Sequence, residues 1–99
     1  MKARELKSWR EKFFGLIGKE KPENILIQTR FGIHTFFLKF PIDVVILDEK
    51  NKVVDAKTIS PNRIFFWNPI YDKVLELPTG TIKEKKIKIG EKIKLNKLI

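Results

Sequence analysis

The sequence predicts a single, mainly β domain: a sandwich or barrel of short strands with one small helix. Alternating and β-branched apolar stretches recur along the chain, and turn residues such as Gly, Pro and Asn separate them. The longest stretch, residues 33–48, reads IHTFFLKFPIDVVILD and belongs in the core of a β-rich fold. With 99 residues and no Cys, the chain can bury one core without metal or disulfide support, and thiolate chemistry is excluded.

The first predicted element is a short helix over about residues 8–16. Ser8 and Glu11 have the spacing of a capping box, which predicts that the helix begins at Ser8. Apolar residues recur at spacings of three and four, as on one helix face: Leu6, Trp9, Phe13, Leu16 and Ile17. We expect this face to dock on the sheet. A membrane-surface helix is the alternative, because basic residues flank the aromatic face.

Seven short strands are predicted after this helix. Pro41 bends or stops the second strand, because proline cannot donate a hydrogen bond to a sheet. A polar loop at residues 49–52 makes the third and fourth strands a β-hairpin. Thr81 and Glu84 have capping-box spacing, which predicts a helical turn near residues 81–86. The predicted strands are residues 25–29, 33–40, 43–48, 53–59, 73–77, 86–89 and 92–95, with a long loop over 60–72.

The net charge of +9 lies in the two terminal segments. Residues 1–21 contain seven basic and three acidic residues, and residues 83–97 contain seven basic and two acidic residues. The central residues 22–82 contain seven of each. Only four of the basic residues are Arg, the usual residue for bidentate phosphate recognition. The Lys- and Glu-rich composition is typical of thermophilic proteins, which we favour over a nucleic-acid patch as its explanation.

Four sequence blocks resemble motifs of a known family. Residues 12–19, KFFGLIGK, are similar to R-x-x-G-L-M-x-R, and residues 34–43, HTFFLKFPID, are similar to a block of aromatic, Met, basic, x, x, Pro, Leu/Ile, Asp. Residues 74–80 and 87–91 match closing segments written V-L-E-L-x-x-G and I-x-x-G-D. The chain therefore resembles the domain-of-unknown-function family 192. This resemblance implies a small jelly-roll-like β-sandwich, and it implies no reaction, cofactor or catalytic residue.

Two positions differ from the family pattern. Leu38 and Ile17 stand where Met is usual. A soft-metal site that used those sulfur atoms would be missing here. Both replacements keep an apolar residue of similar volume, which favours a packing role. No metal and no cofactor are predicted for this chain.

A polar cluster at one end of the sandwich is one candidate site. His34 is the only His and alternates in phase with Leu38, so we expect it on the apolar face. The favoured interpretation of this lone His is structural, as a buried or rim imidazole hydrogen-bonded to the backbone. A catalytic role would need a neighbouring carboxylate, which Asp43 or Glu76 could supply. Lys39 and Asp43 flank Pro41 in a segment built for burial, and buried charge requires a partner. The alternative for Glu76 is that it alternates outward to solvent.

The aromatic loop at residues 63–71, which includes Arg63 and Trp67, is the second candidate. Its aromatic side chains could stack on sugar rings, bases or a partner protein. The alternative, slightly favoured, is that they fold back and cap one end of the sandwich, because exposed aromatic patches of this size are unusual on monomers.

We therefore predict a non-catalytic binding module for a small ligand or a protein partner. No phosphate loop, nucleophile elbow or dinucleotide fingerprint is present. The alternatives are an enzyme with a His/carboxylate site at one end of the sandwich and, less favoured, a non-specific nucleic-acid binder that uses the basic termini. No transmembrane segment or signal-peptide core is expected, which predicts a cytoplasmic protein. The candidate binding residues are His34, Lys39, Asp43, Arg63, Trp67 and Glu76.

Overall fold

The computed structural model describes residues 1–6, 23–30 and 32–98. The helix predicted over residues 8–16 lies outside these ranges. The described part contains eight strands and one short helix. Their bounds are β1 Lys2–Leu6, β2 Ile25–Gln28, β3 Ile33–His34, β4 Ile42–Leu47, β5 Val53–Ile59, β6 Ile64–Phe65, β7 Lys73–Pro78, α1 Thr81–Glu84 and β8 Asn96–Leu98. No helix in these ranges has the length and apolar character needed to cross a membrane.

Six of the strands form one mixed sheet in the order β5-β4-β7-β2-β1-β8. β1 is parallel to both β2 and β8, whereas the pairs β2/β7, β7/β4 and β4/β5 are antiparallel. β3 and β6 form a separate antiparallel ribbon. The mainly β prediction is confirmed, and the sheets are not closed into a barrel.

Both faces of the six-stranded sheet are buried, which explains why all six residues of β4 are buried. We call one side the helix face. Its apolar residues are Ala3, Leu26, Val45, Leu47, Val53, Leu75 and Leu77, covered by Ile87 and Ile93. We call the other side the ribbon face, because Ile33 and Phe65 of the ribbon pack on it. Its buried residues are Leu6, Ile25, Ile27, Leu38, Ile42, Val44, Ile46 and Val74.

The strand predicted over residues 33–40 is wrong beyond His34. The chain turns at Phe36 and Phe37, and Phe37 adopts the left-handed conformation with φ of 65°. The preceding residue, Thr35, bonds to the 60–63 segment and so ends the strand: its N–H donates to the Arg63 carbonyl at 2.9 Å, and its carbonyl accepts from the Asn62 N–H at 2.9 Å. Apolar periodicity could not reveal this turn. Leu38 is buried again after it, so the apolar pattern is the same as that of a continuous strand.

The strands predicted over residues 86–89 and 92–95 are also wrong. A single bridge pairs Lys92 with Lys52. Around it, the Gly90 N–H donates to the Val53 carbonyl, and the Val53 N–H donates to the Glu91 carbonyl, each at 2.8 Å. The alternating Ile/Lys pattern instead marks a loop that anchors Ile87 and Ile93 in the core.

The helical turn at α1 is confirmed, but its predicted capping box is not formed. Gly80, with φ of 90°, is the N-cap, and no side chain caps the helix from that position. The Thr81 hydroxyl donates to the Pro78 carbonyl at 2.6 Å. A long-range carboxylate takes the capping role instead, since Asp43 Oδ2 accepts the Ile82 N–H at 2.8 Å.

Candidate functional site

The predicted cluster of His34, Lys39, Asp43 and Glu76 is not formed. Asp43 pairs with Leu77 across β4 and β7, whereas Glu76 pairs with Val44. Cross-strand partners share a face and consecutive residues alternate, so Asp43 lies on the helix face and Glu76 on the ribbon face. The six-stranded sheet separates the two carboxylates.

Asp43 joins two elements on the helix face. Its side chain is 1% exposed. Oδ1 accepts a hydrogen bond from the Thr58 hydroxyl of β5 at 2.7 Å, and Oδ2 accepts the Ile82 N–H of α1. Both carboxylate oxygens are therefore occupied by protein donors. The geometry assigns Asp43 a structural role in fastening α1 to the sheet.

Glu76 lies at the centre of the ribbon face. It is 6% exposed, and its neighbours across β2 and β4 are Ile25 and Val44. Within the described ranges, no side chain or backbone group donates a hydrogen bond to its carboxyl group. Burial raises the pKa of Glu76 from 4.5 to about 7, because desolvation disfavours the charged form. The expectation that Glu76 points to solvent is wrong, because the ribbon face is covered.

His34 lies on the outer side of the ribbon, away from the core. Its neighbour Ile33 packs on the ribbon face, and consecutive strand residues alternate. Its cross-strand partner Ile64 is exposed. The imidazole stacks on Phe36 with ring centroids 5.2 Å apart, and Nδ1 accepts the Phe36 N–H at 3.3 Å. The prediction that His34 faces the core is wrong, because the turn after Thr35 breaks the alternating pattern.

An exposed apolar surface surrounds His34. Ile64 and Phe66 lie on the same side of β6, and Phe36 stacks on the imidazole. Phe66 also lies beside the backbone of Gly32, where an added Cβ would approach its Cδ1 to 2.7 Å. We call this surface the ribbon patch, defined by Phe36, Phe37, Ile64 and Phe66.

Phe37 is the most exposed member of the ribbon patch, at 76%. A left-handed backbone is unfavourable for a bulky residue and costs about 1 kcal/mol or more. Asn62, itself at φ of 62°, stabilises this conformation because its Oδ1 accepts the Phe37 N–H at 3.3 Å. The fold therefore holds a large aromatic side chain in water at a conformational cost.

Some side chains of the aromatic loop fold back on the sheet, as one alternative predicted, and others are exposed, as the other alternative predicted. Trp67 and Tyr71 fold back on the ribbon face, where Trp67 Nε1–H donates to the Tyr71 carbonyl at 2.7 Å. The Trp67 ring lies 5.8 Å from that of Phe65. Phe66 and Ile70 remain exposed. Trp67 is thus partly buried and packs beneath the loop.

The segments that build the ribbon patch contain basic residues and no acidic ones. Residues 30–40 and 60–68 contain Arg30, Lys39 and Arg63 and no Asp or Glu. Arg30 is paired with Asp72, whose Oδ2 lies 3.5 Å from its Nη2. Lys39 and Arg63 are exposed. Of the predicted binding residues, His34 therefore lies within the ribbon patch, and Lys39 and Arg63 are exposed on the two segments that build it. Within the described ranges, no three His, Asp or Glu side chains come together in a way that could hold a metal ion.

The sequence profile described as Uncharacterized ACR, domain of unknown function 192, matches residues 3–95. The chain belongs to this family. It is similar to UPF0127 proteins of Pyrococcus abyssi, with 40% identity over 67% of this chain and 58% of that protein, and of Pyrococcus horikoshii, with 35% identity over 88% and 81%. A third relative, from Pyrococcus furiosus, is 28% identical over 90% of this chain and 82% of its own length. No solved structure matches the chain.

Two of the motif blocks of family 192 have separate structural positions in this member. The block at residues 34–43 contains the exposed turn at Phe37 and the buried Asp43. The block at residues 74–80 is β7 with its buried Glu76. The family's sequence pattern thus marks one exposed surface and two buried carboxylates, and these do not meet in one site.

Thr35 is the residue of this site that the sequence interpretation missed. It is 1% exposed, and its hydroxyl donates to the Ser60 carbonyl at 2.7 Å and accepts the Arg63 N–H at 2.9 Å. Together with its backbone bonds, this side chain fastens the loop that presents Asn62 and Ile64. The available signal was weak: Thr35 is a polar residue between His34 and two Phe residues in the family block at residues 34–43.

Replacing Thr35 by Val is expected to destabilise the protein by about 2 kcal/mol, because the isosteric side chain leaves a carbonyl and an N–H without their partner. Urea denaturation measures the loss, and amide hydrogen exchange at Arg63 should become faster. Thr79→Val, at an exposed turn residue, is the matched control. Equal effects of the two substitutions would contradict this role for Thr35.

Proposed function

We propose that this protein is a non-catalytic binding module whose ribbon patch binds a protein partner. The partner segment presents apolar side chains flanked by acidic residues. The observation that carries this proposal is the exposure of Phe37 and Phe66, at 76% and 69%, on a surface whose loops are fastened by hydrogen bonds. Large exposed apolar patches on soluble proteins commonly mark interaction sites.

The strain at Phe37 supports this proposal. The exposed Phe37 side chain gives up the free energy that burial in the core would provide. Its left-handed backbone adds a conformational free-energy cost. Aromatic side chains are frequent binding hot spots because they contribute a large contact area and lose few rotamers. The Thr35 and Asn62 hydrogen bonds hold the surface in place before binding, which reduces the ordering cost of association.

The charge pattern supports an acidic partner segment. Lys39 and Arg63 are exposed on the two segments that build the surface, and these segments carry no acidic residue. Positive charge at the rim attracts acidic partners and speeds association. Two observations favour a protein partner over a nucleic acid. Arg, the usual residue for phosphate recognition, is scarce in the chain, and the patch includes the aliphatic side chain of Ile64.

The positions of the carboxylates count against the alternative of a His/carboxylate site that uses Asp43 or Glu76. Asp43 and Glu76 lie on opposite faces of the sheet, and His34 lies on the outer side of the ribbon. A His/carboxylate site needs these groups within hydrogen-bond reach.

The packing of the ribbon on the six-stranded sheet supports a jelly-roll-like sandwich in which the second layer is small.

A displayed library of random peptides, selected on the full chain, tests the proposal. We expect enriched peptides to combine large apolar residues with Asp or Glu. Fluorescence anisotropy should show that Phe37→Ser and Phe66→Ser each weaken their binding about tenfold, which corresponds to about 1.4 kcal/mol. Ile89→Ser is the matched control, because Ile89 is 69% exposed like Phe66 but lies outside the ribbon patch.

Two outcomes would overturn the proposal. One is a selection without enriched peptides, or with peptides that bind both Phe variants as well as they bind the unmodified protein. The other is salt-dependent binding of a single-stranded oligonucleotide that these variants abolish, which would assign the surface to nucleic acid.

A further inference from the structure

A cavity of about 540 Å³ lies apart from the ribbon patch, between the β4–β5 hairpin loop and Tyr71. This volume is typical of small-molecule sites, which range from about 300 to 1,000 Å³. The side chains of Lys50, Lys52 and Lys92 line one part of it, and Ile70 and Tyr71 line another. The cavity therefore combines three amines with an apolar and aromatic wall.

The fold places two of these lysines directly opposite each other. Lys52 and Lys92 are partners in an antiparallel bridge. Like charges at directly paired positions repel and destabilise the pairing. Backbone hydrogen bonds on both sides enforce it, since the Ile93 N–H donates to the Asn51 carbonyl at 2.9 Å and the Val53 N–H donates to the Glu91 carbonyl at 2.8 Å.

The nearby carboxylates offset only part of this charge. Asp48 Oδ1 accepts the N–H groups of Lys50 and Lys52 at 2.8 and 2.9 Å, and these bonds, together with the positive charges of the two lysines, lower the pKa of Asp48. Glu91 Oε1 accepts the Lys88 N–H. Asp48 and Glu49, which also line the cavity, offset part of the positive charge. In the described part of the chain, no ion pair includes Lys50, Lys52 or Lys92.

We propose that this cavity binds a small molecule that carries a phosphate group on an apolar or aromatic body. The phosphate lies between Lys52 and Lys92 and converts their repulsion into attraction, since Lys binds phosphate as a point charge. Lys50 adds a third amine. The body of the ligand packs against Ile70 and Tyr71, whose side chains supply the apolar contact that inorganic phosphate cannot use.

Isothermal titration of the full chain with adenosine monophosphate, adenosine and inorganic phosphate tests this proposal. We expect saturable binding of the nucleotide and binding of adenosine and of phosphate that is at least tenfold weaker. The Lys52→Gln, Lys92→Gln double variant should lose at least tenfold in nucleotide affinity. The control is Lys83→Gln, Lys85→Gln, which removes the same charge from exposed positions outside the cavity and should bind as the unmodified protein does.

Thermal denaturation without ligand gives a second readout. The Lys52→Gln, Lys92→Gln variant should unfold at the same or a higher temperature, because the like-charge pair is removed. The proposal is overturned by absence of saturable nucleotide binding, by equal binding of adenosine, or by equal losses in the two double variants, which would indicate non-specific attraction to a basic surface. A lower unfolding temperature of the cavity variant would also overturn it, because these lysines would then stabilise the fold.

Discussion

Glu76→Gln is expected to stabilise the protein by about 3 kcal/mol at pH 8 and to have almost no effect at pH 4. The pKa of Glu76 is raised from 4.5 to about 7 by burial. One pKa unit corresponds to about 1.4 kcal/mol, so this difference corresponds to about 3 kcal/mol once the carboxyl group is ionised in both states. The uncharged amide avoids the desolvation of a carboxylate.

The sign follows from proton binding. Between pH 4.5 and about 7 the folded protein keeps the Glu76 proton, whereas the unfolded chain has released it. The folded state therefore binds more protons, and stability decreases as the pH rises through this window. Above about pH 7 the loss is complete. Glu76→Gln removes this dependence, so its advantage grows across the same window.

Urea denaturation of both proteins at several pH values from 4 to 8 measures this difference. Glu84→Gln makes the same chemical change at an exposed position of α1 and is the control. If the two substitutions gave the same dependence on pH, burial of Glu76 would not be the cause. Since Glu76 is buried on the six-stranded sheet and lies outside the ribbon patch, Glu76→Gln should leave peptide binding unchanged.

Asp43→Ala is expected to destabilise the protein by about 3 kcal/mol. Hydrogen bonds to a charged group contribute about 1.5 to 3 kcal/mol, and this carboxylate accepts two of them while it is 1% exposed. The Ile82 N–H would lose its acceptor at the start of α1. The exposed Thr58 can instead donate to water, so most of the loss should come from the helix.

Thr58→Ala serves as the matched variant for this prediction, because it removes one hydrogen bond and keeps the Asp43–Ile82 contact. Its expected cost is about 1 kcal/mol. Amide exchange at Ile82 should accelerate strongly in Asp43→Ala and little in Thr58→Ala. Equal destabilisation by the two substitutions would show that Asp43 does not support α1.

Local pattern was sufficient for β4, β5 and β7. Apolar residues predicted these strands within one or two residues of the bounds that the structure contains. β4 and β7 have four or more consecutive buried residues, so their hydrophobic pattern is strong. The polar loop between β4 and β5 predicted their hairpin, because turn residues separate two apolar segments there.

β1 and the ribbon strand β6 could not be predicted in this way. β1 reads Lys-Ala-Arg-Glu-Leu, a composition that favours a helix, and it is a strand because it lies parallel between β2 and β8. β6 lies within the predicted loop and has only two residues. Both strands exist through pairing with distant segments, which a local pattern does not record.

The candidate site shows the same division. The sequence alone determined a mainly β core, the family, and the residue types that a binding surface would use, because these follow from local composition and pattern. The tertiary structure alone decided that Asp43 and Glu76 lie on opposite faces and that Phe37 is exposed. It also decided that Lys52 opposes Lys92. The physical reason is that strand register and long-range hydrogen bonds set the direction of a side chain. The direction of His34 was predicted from alternation with Leu38, and a single turn after Thr35 breaks that alternation.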